Sequence, residues 1–244
     1  MVETKISRIN PLIEALKSSP NRVGKIYIQK STERKRVAEV VKLARLGGIP
    51  VVWVPKNRLD RMDRHHQGVV ALSSPKAFTS VESILSGSDN PFLLLLDGVE
   101  DPQNLGAIVR TAECAGVDGI VLPERRAAGL SHAVSSVSAG ALEHTKIARV
   151  KNLARSMEDL KTKGLWFVGA EGSGSSYWFD FDYTMPLGLV LGAEGKGLRP
   201  LVKKRCDKIL SIPLMGELKS LNVAAAAAVF IYEVVRQRKK FEET

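Results

Sequence analysis

The sequence holds only two cysteines in 244 residues, Cys114 and Cys206, and they stand far apart. That excludes a disulfide framework and any cysteine-based metal spacing. It fits a reducing compartment in which both thiols act as small buried hydrophobes. Histidine is nearly as scarce. His65 and His66 are adjacent, His132 and His144 lie far along the chain, and none stands at ligand spacing from a carboxylate cluster. No metal site is expected, and the adjacent pair is expected to face solvent or a phosphate. Long apolar runs are missing too. The longest, Val223 to Tyr232, has ten residues, where a membrane span needs about 20. The first residues show no apolar signal core, so a cytoplasmic protein without membrane contact is expected.

Acidic residues are sparse at one end of the chain. Residues 1–80 carry 16 Lys and Arg against 6 Asp and Glu, whereas residues 81–244 carry 20 of each. The whole net charge of +10 is thus confined to the first third, the footprint of a surface that meets a polyanion. Nucleic acid is the favoured partner, because phosphate contacts supply most non-specific binding energy.

The pattern along the chain is α/β. Asn10–Pro11 predicts a helix start, Lys25 to Gln29 a strand, Thr32 to Leu46 a helix, and Ile49 to Val54 and Gly68 to Leu72 two more strands. Together they make a small domain over 1–74. Residues 75–90 are rich in serine and read as a linker, with one short helix at Val81 to Leu85. From 91 to 244 apolar runs alternate with helical patterns. Strands are predicted at Phe92 to Leu96, Gly119 to Leu122, Leu165 to Gly169, Leu187 to Leu191 and Lys208 to Ile212, with helices from about Leu105 to Ala115 and Leu221 to Arg238. Such runs suit a parallel sheet covered on both faces, in which ligands bind beyond the carboxyl ends of the strands.

Three strand-end loops therefore matter. Asp97 to Ala112 offers Asn104 as a helix cap, Gly106 for close backbone approach, and Arg110 nearly two turns further on. Gly192 to Gly197, G-A-E-G-K-G, has the glycines for positive φ but neither Walker nor dinucleotide spacing. A near copy, G-A-E-G-S-G, spans Gly169 to Gly174; the two could line one pocket, or could repeat the same turn chemistry by chance. In Ile212 to Ala228, Ser220 can cap the final helix, and Asn222 needs a partner if it is buried. Taken singly, each loop also has a purely structural reading, such as a capped helix with a surface arginine.

In this order and spacing the three loops resemble the SpoU/TrmH branch of the SPOUT methyltransferases. The match rests on Asn104-x-Gly106 with Arg110, on Gly192-x-Glu194-Gly195-x-Gly197, and on Ile212-Pro213-x-x-Gly216 with Ser220-Leu221-Asn222. I-N-P-L-I-E-A-L near Ile9 and H-H-Q-G-V-V at His65 to Val70 look like the substrate-binding domain of the RlmB subgroup. The resemblance implies a small N-terminal α/β RNA-binding domain and a C-terminal parallel-sheet SPOUT domain with a deep trefoil knot. It also implies a homodimer whose active site is completed across the interface. The implied activity is 2′-O-ribose methylation, by S-adenosylmethionine, of a guanosine in large-subunit (23S) ribosomal RNA. Transfer RNA or a ribosomal adenosine is the alternative substrate, and a non-catalytic ribosome-assembly factor the alternative function. By the same resemblance Gly192, Ile212 and Leu221 enclose the cofactor, with Leu214 and Ala170 beside them. Arg110 would serve the reacting hydroxyl, Glu194 would orient Arg110 or accept a proton, and Asn104, Ser220 and Asn222 would organise the site.

Overall fold

A strand with apolar residues at every position has no face to offer water, so it must be covered on both sides by helices. The computed structural model, which describes residues 4–174 and 176–239, shows where such strands lie. The first elements are β1 (Thr4–Ser7), α1 (Ile9–Ser18), β2 (Val23–Gln29), α2 (Arg34–Leu46), β3 (Val51–Val54), α3 (Lys56–Met62) and β4 (Val69–Ser73). Then come α4 (Val81–Leu85), β5 (Phe92–Asp97), α5 (Pro102–Cys114), β6 (Gly119–Pro123), α6 (His132–Val137), α7 (Ala141–His144) and β7 (Ile147–Val150). The chain ends with α8 (Leu153–Lys161), β8 (Trp166–Ala170), β9 (Ser176–Tyr177), β10 (Leu187–Gly192), α9 (Pro200–Arg205), β11 (Lys208–Ser211) and α10 (Val223–Arg238). These elements form two units, Met1–Ala77 with Gly129–His144, and Phe78–Ala128 with Thr145–Thr244.

The first unit is a mixed four-stranded sheet in the order β1-β4-β2-β3. Leu12 and Leu16 of α1 and Val37 and Val40 of α2 close one face over Ile26, Ile28 and Val69. Asn10 does not cap α1, which begins a residue earlier, with Arg8 at the cap and no side-chain cap bond. His66 is buried rather than facing solvent: its Nδ1 accepts from Gly68 N at 3.0 Å and its Nε2 meets Asp60 Oδ1 at 3.0 Å. It therefore shapes the turn before β4.

Gly129–His144 falls inside the expected catalytic span, yet it packs in the first unit through polar contacts. Arg22 Nη1 meets the buried Glu143 carboxylate at 2.5 Å. Lys76 Nζ donates to the carbonyls of Leu142 and Glu143. His132 Nε2 lies 2.5 Å from Ser7 Oγ and 3.1 Å from Asp63 Oδ2. The expected linker is also structured. Thr79 bridges Ala148, Ser80 Oγ accepts from Ser83 N to cap α4, and Ile84 is fully buried.

The second unit is a seven-stranded sheet in the order β7-β6-β5-β10-β8-β11-β9. Every pairing in it is parallel, so all carboxyl ends share one edge. β5 and β10 occupy the middle and are buried at each position, with Gly192 opposite Asp97 at their ends. β9 pairs on the far side of β11 from β8, so the chain leaving β8 crosses the end of β11. Glu171 N donates to Leu210 O at 3.0 Å there. A Cβ on Gly174 would stand 2.6 Å from the backbone of Leu210, so only glycine fits this crossing. Cys206 is half-buried, and burial pushes its thiol up to about 12. Cys114 departs from the expectation: it ends α5 in solvent.

Burial lowers Lys76 to about 8 from 10.5, against the pull of Glu143. Such a lysine binds fewer protons folded than unfolded between those values, so its contribution raises stability across that window. The urea midpoint of the protein is expected to climb from about pH 8 to about pH 10.5 relative to that of Lys76→Met. Parallel pH profiles for the two proteins would refute this.

Candidate active site

The helix after β5 begins earlier than its spacing suggested. Asp101 is the cap, its Oδ1 accepting from Gln103 N at 2.9 Å, and Pro102 takes the first helical position. Asn104 is thereby released from capping and sits buried in the first turn. Its amide is used at both ends. Nδ2 donates to Glu194 Oε2 at 3.1 Å, and Oδ1 accepts from Asn222 Nδ2 at 2.8 Å. Asn222, not Ser220, caps α10: its Oδ1 accepts from Ala224 N at 2.9 Å and Ala225 N at 3.3 Å. One chain of amides thus ties α5, the glycine loop after β10 and the start of α10 together.

That glycine loop is closed on itself. Ala193 N donates to Gly197 O at 3.1 Å and Gly197 N to Ala193 O at 2.9 Å. Gly195 and Gly197 have φ of 75° and 66°, a region unfavourable to other residues. A Cβ on Gly192 would lie 2.2 Å from the Gly197 backbone. The loop's far end is pinned by Asp97, which is fully buried. Asp97 Oδ2 accepts from Arg199 N at 2.9 Å, and Oδ1 accepts from Arg199 Nε at 2.5 Å.

A cavity of about 450 Å³ opens beside the loop, within the range of small-molecule sites. Ala170, Gly192, Glu194, Ile212, Leu214, Ser220 and Leu221 all line it. Both glycine-rich repeats reach it, through Ala170 to Ser173 and Leu191 to Gly197, which decides between a shared pocket and a chance recurrence. Ile212, Leu221, Val223 and Phe230 give it an apolar wall. Glu171 and Glu194 supply carboxylates and Lys196 and Lys219 cations. Lys203 Nζ holds Glu171 Oε2 at 2.9 Å. Backbone donors, an apolar wall and charges of both signs suit a ligand joining a flat heterocycle to a zwitterion.

Arg110 is not among the lining residues. It is exposed on α5 and, among the described residues, has no hydrogen-bond or ion-pair partner. Within one chain Glu194 therefore engages Asn104 rather than Arg110, against the expectation that it orients the arginine. Sequence reasoning also passed over Asp97, Arg199, Glu171 and Lys203. The available signal was a lone carboxylate closing the wholly apolar strand Phe92–Asp97, since a buried charge there requires a partner.

Comparison with known proteins bears on the whole chain. Residues 91–232 match the SpoU rRNA Methylase family and residues 9–79 match the RNA 2′-O ribose methyltransferase substrate-binding family. The chain is 41% identical over 239 residues to YacO of Bacillus subtilis, named as a TrmH family tRNA/rRNA methyltransferase, with 96% of each covered. A TrmH family tRNA/rRNA methyltransferase of Staphylococcus saprophyticus is 40% identical over 225 residues, with 90% of each covered. Among solved structures, the SpoU methyltransferase AviRb from Streptomyces viridochromogenes in complex with AdoMet superimposes with a TM-score of 0.83. It is 26% identical, and the match covers 97% of this chain and 90% of that one.

Two substitutions separate the roles of Asn222. Asn222→Ala strips the cap and is expected to cost ~1 kcal/mol in urea denaturation. Asn222→Asp keeps the cap acceptor but loses the donor to Asn104, so it should restore most of that stability without restoring the amide chain. Equal losses in both variants would show that the cap is not what Asn222 contributes to stability.

Proposed function

Because the chain belongs to the SpoU/TrmH family of RNA methyltransferases, we propose that it methylates the ribose 2′-hydroxyl of a guanosine in large-subunit (23S) ribosomal RNA. The observation that carries this reading is the cavity bounded by both glycine loops, with Glu194 on its lining and the Glu194–Asn104–Asn222 chain behind it. S-adenosylmethionine supplies a methyl carbon already activated by its sulfonium. Gly192, Ile212, Leu214, Leu221 and Ala170 would hold it, the apolar wall taking the heterocycle and the charged side chains the amino-acid end.

A ribose hydroxyl is a poor nucleophile at neutral pH, so the protein's own groups must manage its proton. Arg110 offers a guanidinium, a side chain that acts as a cation rather than as a base. It serves as a fixed cation that stabilises charge developing on the hydroxyl oxygen or on a neighbouring phosphate. Glu194, exposed at the tip of its loop and steadied by Asn104, is the proton acceptor. Ser220 and Asn222 shape the entrance from the third loop.

The homodimer belongs to the same proposal. Met215, Leu218 and Leu221 are exposed in the third loop and Tyr232 on α10, apolar side chains that a second copy would cover. Arg110, without a hydrogen-bond or ion-pair partner among the described residues, is a residue through which a second copy would complete the site. The deep knot is the topology that the crossing of β11 by the chain after β8 supports. A basic first third, carrying the match to a substrate-binding family, supports RNA recognition by the first unit. The cytoplasm is the compartment that fits such a substrate.

Arg110→Ala is expected to lower kcat by at least ~100-fold while leaving the cofactor Kd within twofold, because Arg110 does not line the cavity. An active Arg110→Ala enzyme would overturn its role. Mapping of ribose methylation in ribosomal and transfer RNA, with and without the gene, should show one guanosine mark missing from 23S RNA. A mark missing only from transfer RNA, or from an adenosine, would refute the substrate.

A further inference from the structure

The carboxyl edge of the seven-stranded sheet holds a second opening of about 600 Å³, beyond the ends of β6 and β7. Its lining includes Arg125, Arg126, Lys151 and Arg199, with Leu201 exposed and no carboxylate among the described residues that form it. Arg199 is neutralised by Asp97. Arg125, Arg126 and Lys151 are exposed and, among the described residues, pair with nothing. They come from two separate strand-end loops yet converge on one concavity, so mutual repulsion is accepted where a simple surface would disperse it. Arg126 also stands at φ 62°, a conformation that costs an ordinary residue roughly 1 kcal/mol or more and that glycine or asparagine would adopt more readily.

We propose that this cleft seats backbone phosphates of the RNA substrate, on the strand flanking the nucleotide that enters the active site. The proposal rests on the RNA-methyltransferase reading above. Two features of the cleft favour RNA over a free anion. The cations are spread over an open cleft rather than focused on one point, which suits successive phosphates. The cleft also shares its sheet edge with the cofactor cavity. β6 stands two strand positions from β10, about 10 Å at the usual strand spacing, so one bound strand can reach both. Contacts to phosphates carry no sequence information, so the cleft's contribution is affinity and register rather than sequence choice.

The test compares two triple variants of the full-length protein. Arg125→Ala/Arg126→Ala/Lys151→Ala empties the cleft of its unpaired cations. Lys146→Ala/Lys163→Ala/Lys208→Ala removes the same charge from exposed lysines at the opposite, amino edge of the sheet. Binding is measured with a 23S ribosomal RNA transcript over a salt series, and S-adenosylmethionine affinity reports that each variant is folded. The cleft variant is expected to bind RNA at least tenfold more weakly, with the slope of log K against log salt shallower by roughly 2. Its cofactor affinity and its kcat at saturating RNA should be unchanged, and the amino-edge variant should stay within twofold of wild type. Equal RNA affinity in the two triple variants would overturn the cleft while leaving the methyltransferase reading intact. A wild-type protein that neither binds nor methylates the transcript would overturn both.

Discussion

A carboxylate at the end of a central parallel strand cannot reach water, and an unpaired charge there would cost several kcal/mol. Asp97 resolves this by accepting from the backbone and the guanidinium of a single residue, Arg199. That choice fixes more than one ion pair. Arg199 ends the glycine loop that leaves β10, and Gly192 lies opposite Asp97 in the sheet register. The loop is therefore tied to β5 at its start by the ladder and at its end by the carboxylate. Between these anchors it has only six residues, and its own hydrogen bonds close it further. Glu194 is left at the tip, where Asn104 can reach it. The cavity between the glycine loops, the amide chain and the inner wall of the basic cleft all depend on that one buried pair.

Much of this order was legible in the sequence, because hydrophobic continuity survives translation into structure. The runs at Phe92 to Leu96 and Leu187 to Leu191 became central strands with nearly the expected bounds. Local chemistry alone is a weaker guide. Asn104 and Asp101 are equally able caps, and Pro102 decides for Asp101 by fixing the first helical position. Ser220 and Asn222 are likewise both good caps, and the polar stretch before α10 extends far enough for Asn222 to win. In each case spacing named the right segment and tertiary contact selected the atom.

The sequence hid the elements whose stability comes from elsewhere in the chain. β1 and β7 are four-residue strands at sheet ends, with little apolar continuity to announce them. Gly129–His144 reads as part of the catalytic span, because nothing local reveals that Glu143 will meet Arg22 and Asp63 will meet His132. Those pairs join residues more than 60 positions apart. The serine-rich stretch before β5 hides its structure for a related reason. One isoleucine, Ile84, is enough to dock it, since Gly119 leaves room for that side chain.

Charge gives the clearest case of a sum concealing an arrangement. Residues 81–244 are neutral overall, with 20 charges of each sign, which suggested that only the first third of the chain addresses a polyanion. In the folded unit, carboxylates are drawn into pairs: Asp97 with Arg199, Glu158 with Arg205, Glu171 with Lys203, Asp207 with Lys161 and Glu233 with Arg236. Pairing consumes charge of both signs equally, so it leaves the net value untouched while deciding which cations stay free. Among the described residues Arg110, Arg125, Arg126 and Lys151 are left without partners, and all four lie on segments leaving the carboxyl ends of strands. A neutral unit can thus present a positive edge. The field that an RNA strand meets is set by which side chains the fold leaves unpaired, and that is written in the hydrogen bonds rather than in the composition.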